Sequence, residues 1–558
     1  MGIRTPAGHQ RWRHGTALCA FAWTAWVGGC GSSTQASENG SVGGAEAVTG
    51  ASGGGANGAS ESTGGSSGAG RDGNGGTGGA APEPLGGAGP ASSGGHAGSA
   101  DVGGAVPTLS GLTVEPNPNS TLSAFVSWTT DVAADSAVEF GQGGYEYVIR
   151  KSEGVTEHRV LVIGMRADST YQLRAVSTTG AGSGSSETSF MTGSLPSTVP
   201  TPELTASAAG AQEGWTFVSV QPPGEGFGAS GEPGVIVGYD MEGVPVWYYV
   251  NGDRPEELGD ASIEVLPNGN LLIGPNTYTP PKEVDLAGNV VWAGPEQPDG
   301  GGNGTPGLMT HDARKLGNGN YVLLRNEMDE NDFEGALVEE VTPDNQVVWS
   351  WSLFDHIQPD VLVDSPDWCH PNAVTIDEEE GFLYLSCRWL GLIKAERGGD
   401  GAVVWTLGEG LDGGSFTFDP PEGAFADQHD PERQEDGSVL VYDNGGYTLR
   451  PTGDEHSRVI ELALDESAMV ATLSWSFPGD FAVDSWYRED WYTPFWGDAD
   501  RLANGNVLIT AGMRSSTSGR IFEVRREDGQ VVWELTFAPQ VGTYQADRAS
   551  PAPLVERL

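Results

Sequence analysis

Three histidines stand at equal spacing in the second half of the chain. His370 lies 370 − 311 = 59 residues after His311, and His429 lies 429 − 370 = 59 residues after His370. Asn372 follows the middle histidine by two positions, and Arg388 follows it by 388 − 370 = 18 positions. These side chains suit a small anion with several oxygens, because imidazole, amide and guanidinium groups can all donate hydrogen bonds to it.

Zinc is the alternative ligand for the same three histidines. Three neutral imidazoles can hold zinc and leave its fourth position open. However, Arg388 would repel a dication, and no carboxylate is clearly placed as a fourth ligand. Asp312 and Asp430 each follow a histidine directly, so on an extended strand they would point away from it and orient neighbouring groups. The sequence therefore predicts no metal at the histidines and leaves zinc as the alternative.

The middle histidine lies on a predicted β-hairpin. Residues 368–374 and 385–388 flank an acidic turn at 378–381, which brings Arg388 back almost level with His370. On an extended strand Asn372 would face the same side as His370, because side chains two positions apart share a face.

Two cysteines, Cys369 and Cys387, flank the same hairpin. Their midpoint, (369 + 387)/2 = 378, falls inside the turn, so they should face each other across antiparallel strands. In an oxidising compartment this predicts a disulfide. Two buried free cysteines are the alternative.

A repeat surrounds the histidines and predicts a β-propeller. Five hairpin turns precede apolar strands, at residues 268–271, 318–321, 380–383, 436–439 and 504–507. Six strands carry a tryptophan: Trp247, Trp292, Trp349, Trp405, Trp475 and Trp533. Their gaps of 45, 57, 56, 70 and 58 residues suit four-stranded blades, so the fold class is all-β with six blades in a closed ring. We expect the tryptophans to pack between blades.

The register of the repeat places the histidines on the innermost strands. His311 and His429 each lie seven residues before a turn, at Asn318 and Asp436, and His370 lies seven before Asp377. All three should open the first strand of successive blades and border the central channel. Structural histidines satisfied by neighbouring blades are the alternative.

Four segments make up the predicted domain organisation. Residues 1–29 read as a signal peptide, and Val27-Gly28-Gly29-Cys30 resembles a lipobox with Cys30 as the lipidated residue. An ordinary signal peptide is the alternative. Residues 30–105 form a disordered Gly/Ser/Ala-rich tether. Residues 106–196 resemble a fibronectin type III sandwich, with Tyr171 as a structural tyrosine corner, and residues 197–558 are the propeller. This predicts a lipoprotein of the outer membrane or cell surface, on its periplasmic or extracellular side.

The net charge of the chain limits the kinds of partner that it can bind. Its 558 residues carry a formal net charge of −48, which argues against nucleic acid and anionic membrane surfaces. The predicted membrane attachment is therefore only the lipid at Cys30. No phosphate-binding loop of the Gly-x-x-x-x-Gly-Lys type occurs, so no nucleotide cofactor is expected. The sequence leaves a homodimer open.

The propeller region resembles the bacterial arylsulfate sulfotransferases, which are exported six-bladed propellers. The resemblance covers residues from about 200 to 540 and runs through 310–314, 370–374, 386–388, 426–430, 442–445, 457–461 and 519–524. It implies transfer of a sulfuryl group from a phenolic sulfate ester to a phenol acceptor, in a ping-pong mechanism without a cofactor. By resemblance, His429 would become a transient sulfohistidine, and His311, His370, Asn372 and Arg388 would hold the sulfuryl oxygens. The alternatives are a non-catalytic surface propeller that binds an anionic or aromatic ligand, and a sulfate-ester hydrolase.

Overall fold

The structure, a computed structural model, describes most of the chain after residue 104. The described ranges are 105–221, 234–250, 261–276, 279–298, 305–359, 366–408, 414–445, 457–478, 492–512, 518–550 and 555–558. The predicted signal peptide, Cys30 and the tether lie outside these residues and stay predictions. Among the described residues, no helix has the length and apolar character needed to cross a bilayer.

The N-terminal domain is a bent antiparallel sheet. Its strands are β1 (Leu109–Pro116), β2 (Ala124–Gly141), β3 (Tyr147–Val162), β4 (Thr170–Thr179) and β5 (Gly182–Met191). One edge of β2 pairs with β3, whereas its other edge pairs with β1 along the first half and with β4 along the second. The sheet therefore folds over a core that includes Trp128 and Leu173.

Tyr171 ties the start of β4 to the preceding turn. Its side chain is buried, and its hydroxyl accepts a hydrogen bond from the backbone N–H of Arg166 at 2.9 Å. A tyrosine corner makes this kind of contact a few residues upstream. The assignment to the fibronectin type III fold itself stays a prediction.

Six further sheets form the blades of the propeller. The first half contains β6 (Glu203–Ser207), β7 (Trp215–Gln221), β8 (Val235–Tyr239), β9 (Pro245–Val250), β10 (Ile263–Val265), β11 (Leu271–Ile273), β12 (Lys282–Val284), β13 (Val290–Ala293), β14 (Met309–Lys315), β15 (Tyr321–Met328), β16 (Glu334–Val341) and β17 (Val347–Ser352). The second half contains β18 (Pro371–Asp377), β19 (Phe382–Cys387), β20 (Gly391–Glu396), β21 (Val403–Leu407), β22 (Thr417–Asp419), β23 (His429–Arg433), β24 (Val439–Asp443), β25 (Arg458–Asp465), β26 (Val470–Phe477), β27 (Asp498–Arg501), β28 (Val507–Ala511), β29 (Arg520–Arg525), β30 (Gln530–Thr536), β31 (Gly542–Ala549) and β32 (Glu556–Arg557). Two 3₁₀ turns, Leu353–Asp355 and Pro421–Gly423, complete the elements of the described residues.

The two ends of the propeller sequence close the ring. Blade 1 consists of β7, β8 and β9 with β31 as its innermost strand, and blades 2, 3 and 4 are β10–β13, β14–β17 and β18–β21. Blade 5 is β23–β26 with β22 added, and blade 6 is β27–β30 with β6 added. Strands from both ends of the sequence thus share blades 1 and 6, which leaves no free edge at the junction. The predicted six-bladed propeller is confirmed.

The innermost strands surround the centre of the ring. The strand β14 lies beside β18, β18 beside β23, β23 beside β27, β27 beside β31, and β31 beside β10. Residues near the start of these strands, although distant in sequence, can therefore meet around one axis.

The six predicted tryptophans lie on the fourth strand of each blade, counted from the innermost strand, as the repeat spacing indicated. Four of them donate an indole hydrogen bond to a backbone carbonyl of the next blade. The pairs are Trp247 with Leu286, Trp349 with Arg397, Trp475 with Arg526 and Trp533 with Met241. The tryptophans therefore hold neighbouring blades together, as expected.

The hairpin turns differ from the two-residue turns that the Asn-Gly pairs suggest. In blade 2 the backbone N–H of Leu266 donates to Asn270, which closes a three-residue loop. Only Gly269 has a left-handed φ, of 83°. The side chain of Asn270 then donates to Glu283 on the third strand at 2.6 Å, an arrangement that blades 3 and 6 repeat.

The N-terminal domain docks on the propeller through a shared core. Trp215 and Phe217 of blade 1 belong to the same buried cluster as the core of the N-terminal sheet. At the edge of this contact, Asn117 donates to the carbonyl of Ala287 in blade 2 at 3.0 Å. The last strand, β32, leaves the propeller and pairs with β3.

Candidate active site

The structure places the three histidines on consecutive innermost strands. His311 is the third residue of β14, His370 directly precedes β18, and His429 begins β23. Each strand carries a β-bulge at this point, where its register with the next strand shifts. His311 and His370 have left-handed φ values of 56° and 51°, a conformation that is uncommon for residues other than glycine. The bulges therefore replace regular strand alternation where the side chains reach the centre.

The imidazole rings gather at the centre of the ring of blades. The ring centroids of His311 and His370 are 5.3 Å apart. On its other side, His311 lies 6.2 Å from the ring of Tyr544, which in turn contacts Trp496 at 5.7 Å. The backbone N–H of Trp496 points to Nε2 of His429 at 3.4 Å. The three histidines thus share one cluster, as their register predicted.

Hydrogen bonds fix the tautomer of His429. Asn444 donates both hydrogens of its amide, to the carbonyls of Thr493 and Trp496 at 2.7 Å each. Its remaining oxygen lies 2.8 Å from Nδ1 of His429, so this nitrogen must carry the proton. The lone pair of the imidazole is therefore at Nε2.

The site keeps His429 and His311 uncharged. Burial, followed by the charge of Arg388, lowers the pKa of His429 to about 3. Burial and the neighbouring His370 and His429 lower the pKa of His311 well below its usual range. Both rings are consequently neutral near pH 7, and a neutral imidazole can act as a nucleophile.

His370 has an acidic partner. Its Nδ1 lies 3.1 Å from a carboxylate oxygen of Asp367. A carboxylate oxygen accepts a hydrogen bond, so this contact places a proton on Nδ1 and fixes the orientation of the ring.

Arg388 is held beside His370 by the hairpin that the sequence predicted. Its backbone N–H donates to the carbonyl of His370 at 3.0 Å, and the predicted disulfide between Cys369 and Cys387 joins the two strands directly before it. One terminal nitrogen of the guanidinium donates to the carbonyl of Pro494 at 3.0 Å. Its buried Nε has no partner among the described residues, so it remains a donor for a bound anion.

Asn372 differs from its expected position. Because His370 has a left-handed backbone and the register of β18 shifts between Pro371 and Ala373, strict alternation from His370 to Asn372 fails. The buried Asn372 amide instead donates to the carbonyl of Gln428, one residue before His429, at 2.7 Å. This contact braces His429, and contact of Asn372 with substrate stays a prediction.

Asp312 and Asp430 orient neighbouring groups, as expected from the sequence. The carboxylate of Asp312 accepts from the backbone N–H of Val374 at 2.9 Å and contacts Arg314. Arg314 also contacts Asp430 at 3.2 Å, so one guanidinium links the innermost strands of blades 3 and 5.

The histidine cluster lacks the geometry of a metal centre. In the part of the chain that the structure describes, the one group of three side chains whose ligand atoms all lie within 4.8 Å is Asp430, Asp498 and Asp500. It includes none of the histidines, so zinc does not fit this arrangement, which suits an oxyanion.

Sequence reasoning missed two residues of the cluster, Asn444 and Tyr544. Asn444 follows His429 by 444 − 429 = 15 positions and returns on the second strand of its blade, much as Arg388 does after His370. The same spacing argument could have found it. Tyr544 lies at a bulge of β31, a strand without histidine, and no spacing signal marked it.

Comparisons with known proteins show low similarity to solved structures and a clear family. A protein of unknown function from Bacteroides caccae is 12% identical, with a TM-score of 0.38, and the match covers 60% of this chain and all of that one. A quinonprotein alcohol dehydrogenase-like protein from Bacteroides thetaiotaomicron is 11% identical, with a TM-score of 0.29, over 76% of this chain and 94% of the other. Similarity this low gives no information about function. No curated protein matches the chain in sequence. The family model described as arylsulfotransferase (ASST) matches residues 208–545, and the chain therefore belongs to the arylsulfotransferase family.

Proposed function

We propose that this protein transfers a sulfuryl group from a phenolic sulfate ester to a phenol, through a covalent sulfohistidine at His429. The observation that carries the proposal is the state of His429. It is buried and neutral, with its tautomer fixed by Asn444, its lone pair at Nε2 engaged in the long 3.4 Å contact with the Trp496 N–H, and Arg388 close enough to depress its pKa.

In the first half-reaction, Nε2 of His429 attacks the sulfur of the donor. A nitrogen–sulfur bond forms, and the bond from sulfur to the phenolic oxygen breaks with its electron pair on oxygen. His370 enters this step doubly protonated, gives its Nε2 proton to this oxygen, and keeps its Nδ1 proton in the hydrogen bond to Asp367. Arg388 holds the sulfuryl oxygens, which suits a loose transition state like that of phosphoryl transfer.

In the second half-reaction, an acceptor phenol takes the place of the leaving phenol. His370 removes its proton, the phenolate oxygen attacks sulfur, and the nitrogen–sulfur bond breaks with its electrons returned to Nε2. A free phenol has a pKa of about 10, so its oxygen is a good leaving group and, once deprotonated, a good nucleophile. No redox partner is needed for this cycle.

The test uses 4-nitrophenyl sulfate with and without an acceptor phenol. We expect nitrophenol release that depends on the acceptor, and a peptide containing His429 that gains one SO₃ group when the acceptor is withheld. His429→Asn should reduce transfer by at least about a thousandfold, because the nucleophile is lost.

Three results of this experiment contradict the proposal. Steady release without an acceptor would favour a hydrolase, and a folded protein that binds the ester without release would favour a ligand-binding propeller. Full activity in a folded His429→Asn protein would show that another group is the nucleophile.

A further inference from the structure

A second cavity, of about 480 Å³, lies further along the innermost strands than the histidine cluster. Its lining contains six carboxylate side chains: Glu264, Asp430, Glu432, Asp498, Asp500 and Asp547. These residues come from the innermost strands of four blades, β10, β23, β27 and β31. Such a concentration of carboxyl groups in a partly closed space is stable only if positive charge lies nearby or some of the carboxyls are protonated.

Two of the three arginines that line the cavity are paired elsewhere. Arg548 is fully buried and binds Glu523 at 2.5 Å, and Arg501 binds Glu461. Neither Glu523 nor Glu461 lines the cavity. Their carboxylates already balance these two arginines, which therefore add little positive charge to the cavity.

The third arginine, Arg314, is shared between two carboxylates. It contacts Asp312, which lies outside the cavity lining, and Asp430, each at 3.2 Å. Arg314 therefore cannot balance the remaining five acidic side chains of the cavity.

Three of the carboxylates converge on one point. Asp430, Asp498 and Asp500 each offer an oxygen within 4.8 Å of the others. Asp498 and Asp500 are two positions apart on β27 and so share a face, while Asp430 faces them from β23. Like charges this close repel strongly when they are withdrawn from water.

An unpaired oxygen on Asp498 points to a ligand at this place. Asp498 is only 3% exposed, and its Oδ2 accepts the backbone N–H of Ala546 at 3.1 Å. Its other oxygen, Oδ1, is buried without a hydrogen-bond donor among the described residues, and so is Oδ2 of Asp500. A buried carboxylate oxygen normally has a partner, and here a cation, or a proton shared between Asp430 and Asp498, would supply it.

We propose that Asp430, Asp498 and Asp500 bind a calcium ion between the innermost strands of blades 5 and 6. Calcium takes oxygen ligands at about 2.3–2.6 Å, so two ligand oxygens lie at most about 5 Å apart, as the three carboxylates do. The cavity lining contains no histidine or cysteine, which excludes the ligands that zinc prefers. Magnesium usually keeps several waters and one or two carboxylates, so three convergent carboxylates favour calcium.

The bound ion would join β23, which begins with His429, to β27. It would thus fix the blade that carries the proposed nucleophile against its neighbour without touching the substrate. Because calcium binds only when both strands are in place, it should stabilise the folded protein in proportion to its concentration.

The test measures calcium binding by the whole protein after treatment with EDTA and dialysis. Calorimetric titration with CaCl₂ should show saturable binding of about one ion per chain, and the Tm should rise with calcium concentration. Asp500→Asn should weaken binding at least about tenfold, since even indirect partners of metal ligands have effects of this size. Titration with MgCl₂ should give at least about tenfold weaker binding.

Glu379→Gln is the matched control, because it removes one negative charge from an exposed turn outside the cavity. It should bind calcium as the wild type does. The proposal is overturned if the wild type shows neither heat nor a Tm shift, if folded Asp500→Asn binds as tightly as wild type, or if both variants lose binding equally. Equal affinity for magnesium would overturn the choice of calcium. These measurements do not use sulfuryl transfer, so they are independent of the proposed catalytic function.

Discussion

The inner and outer strands of the same blades follow different rules. On the outer side, the tryptophans make the same contacts in several blades, and neighbouring blades meet through ion pairs such as Arg397 with Glu340. The asparagines in the turn after the innermost strand, such as Asn320, make a repeated contact to the third strand as well. Every blade also has a bulge between its third and fourth strands, at the same place in the repeat. On the inner side, bulges occur at four strands only among the described residues, and the side chains beside them are not repeated from blade to blade: His311, His370, His429 and Tyr544. The outer side thus consists of equivalent contacts between neighbouring blades, whereas the inner side forms one asymmetric site.

This difference indicates how the two regions share the tasks of stability and chemistry. Repeated contacts and repeated bulges on the outside maintain the ring, so the inner strands can depart from the repeat. Left-handed residues such as His311 and His370 raise the conformational energy, and they persist where the surrounding structure over-determines them. We therefore expect outer substitutions to change stability and inner substitutions to change catalysis.

The largest expected difference between an inner and an outer substitution is that between Arg388→Lys and Arg397→Lys. Arg388→Lys keeps one positive charge but loses the planar fork, so kcat/KM for sulfuryl transfer should fall roughly a hundredfold. Arg397→Lys weakens a contact between blades 3 and 4, so it should lower the free energy of unfolding by about 1 kcal/mol and leave kcat/KM within about twofold. For both variants, steady-state kinetics gives kcat/KM and denaturant unfolding gives the free energy of unfolding.

Loss of activity in Arg397→Lys as large as in Arg388→Lys would contradict the division between the two regions. It would mean that the outer joints control the geometry of the centre directly.

Two asparagines, one that contacts His429 and one in a repeated turn, test the same division between the catalytic centre and the repeated contacts, with a smaller expected effect. Asn444→Ala removes the acceptor that holds the proton on Nδ1 of His429, so kcat should fall about tenfold or more, with little change in donor KM. The expected loss is smaller than the roughly 10⁴-fold effect of forcing a catalytic histidine into the wrong tautomer. Asn506→Ala removes a contact to Glu523 from the repeated turn between β27 and β28, and should cost about 1–3 kcal/mol of stability without changing kcat.

The pH profile distinguishes a positioning role for Asn444 from a purely structural one. Without the fixed tautomer, Asn444→Ala should also change the pH dependence of kcat, whereas Asn506→Ala should keep the wild-type profile. Identical profiles in both variants would contradict the role assigned to Asn444.

The sequence predicts the outer side of this molecule better than the inner side. Trp247 and Trp533 lie where the repeat places them because identical joints need identical residues at one spacing. The equal spacing of the histidines predicts that they occupy equivalent positions on successive innermost strands. Strand alternation fails to predict the position of Asn372, because a bulge cannot be recognised in a single sequence. Asp498 and Asp430 meet because the innermost strands of blades 5 and 6 lie side by side, and neither strand alone indicates that contact.

The last expected effect concerns the pH dependence of stability. The pKa of His429 is about 3 in the folded protein, lowered mainly by burial, and about 6.5 in the unfolded chain. Between these values the unfolded chain binds a proton that the folded protein does not. The contribution is therefore fully present above about pH 6.5 and is lost as the pH falls towards 3. Between pH 7 and pH 5, this residue alone should lower the free energy of unfolding by about 2 kcal/mol.

Denaturant unfolding of His429→Asn should accordingly show a shallower dependence of the unfolding free energy on pH than the wild type. The number of protons taken up on unfolding should fall by up to about one. Asn506→Ala changes no titratable group, so its curve should run parallel to that of the wild type at lower stability. A His429→Asn curve parallel to the wild type would mean that His429 is not held neutral by the folded protein, and the central site would then lose the property that separates it from the outer joints.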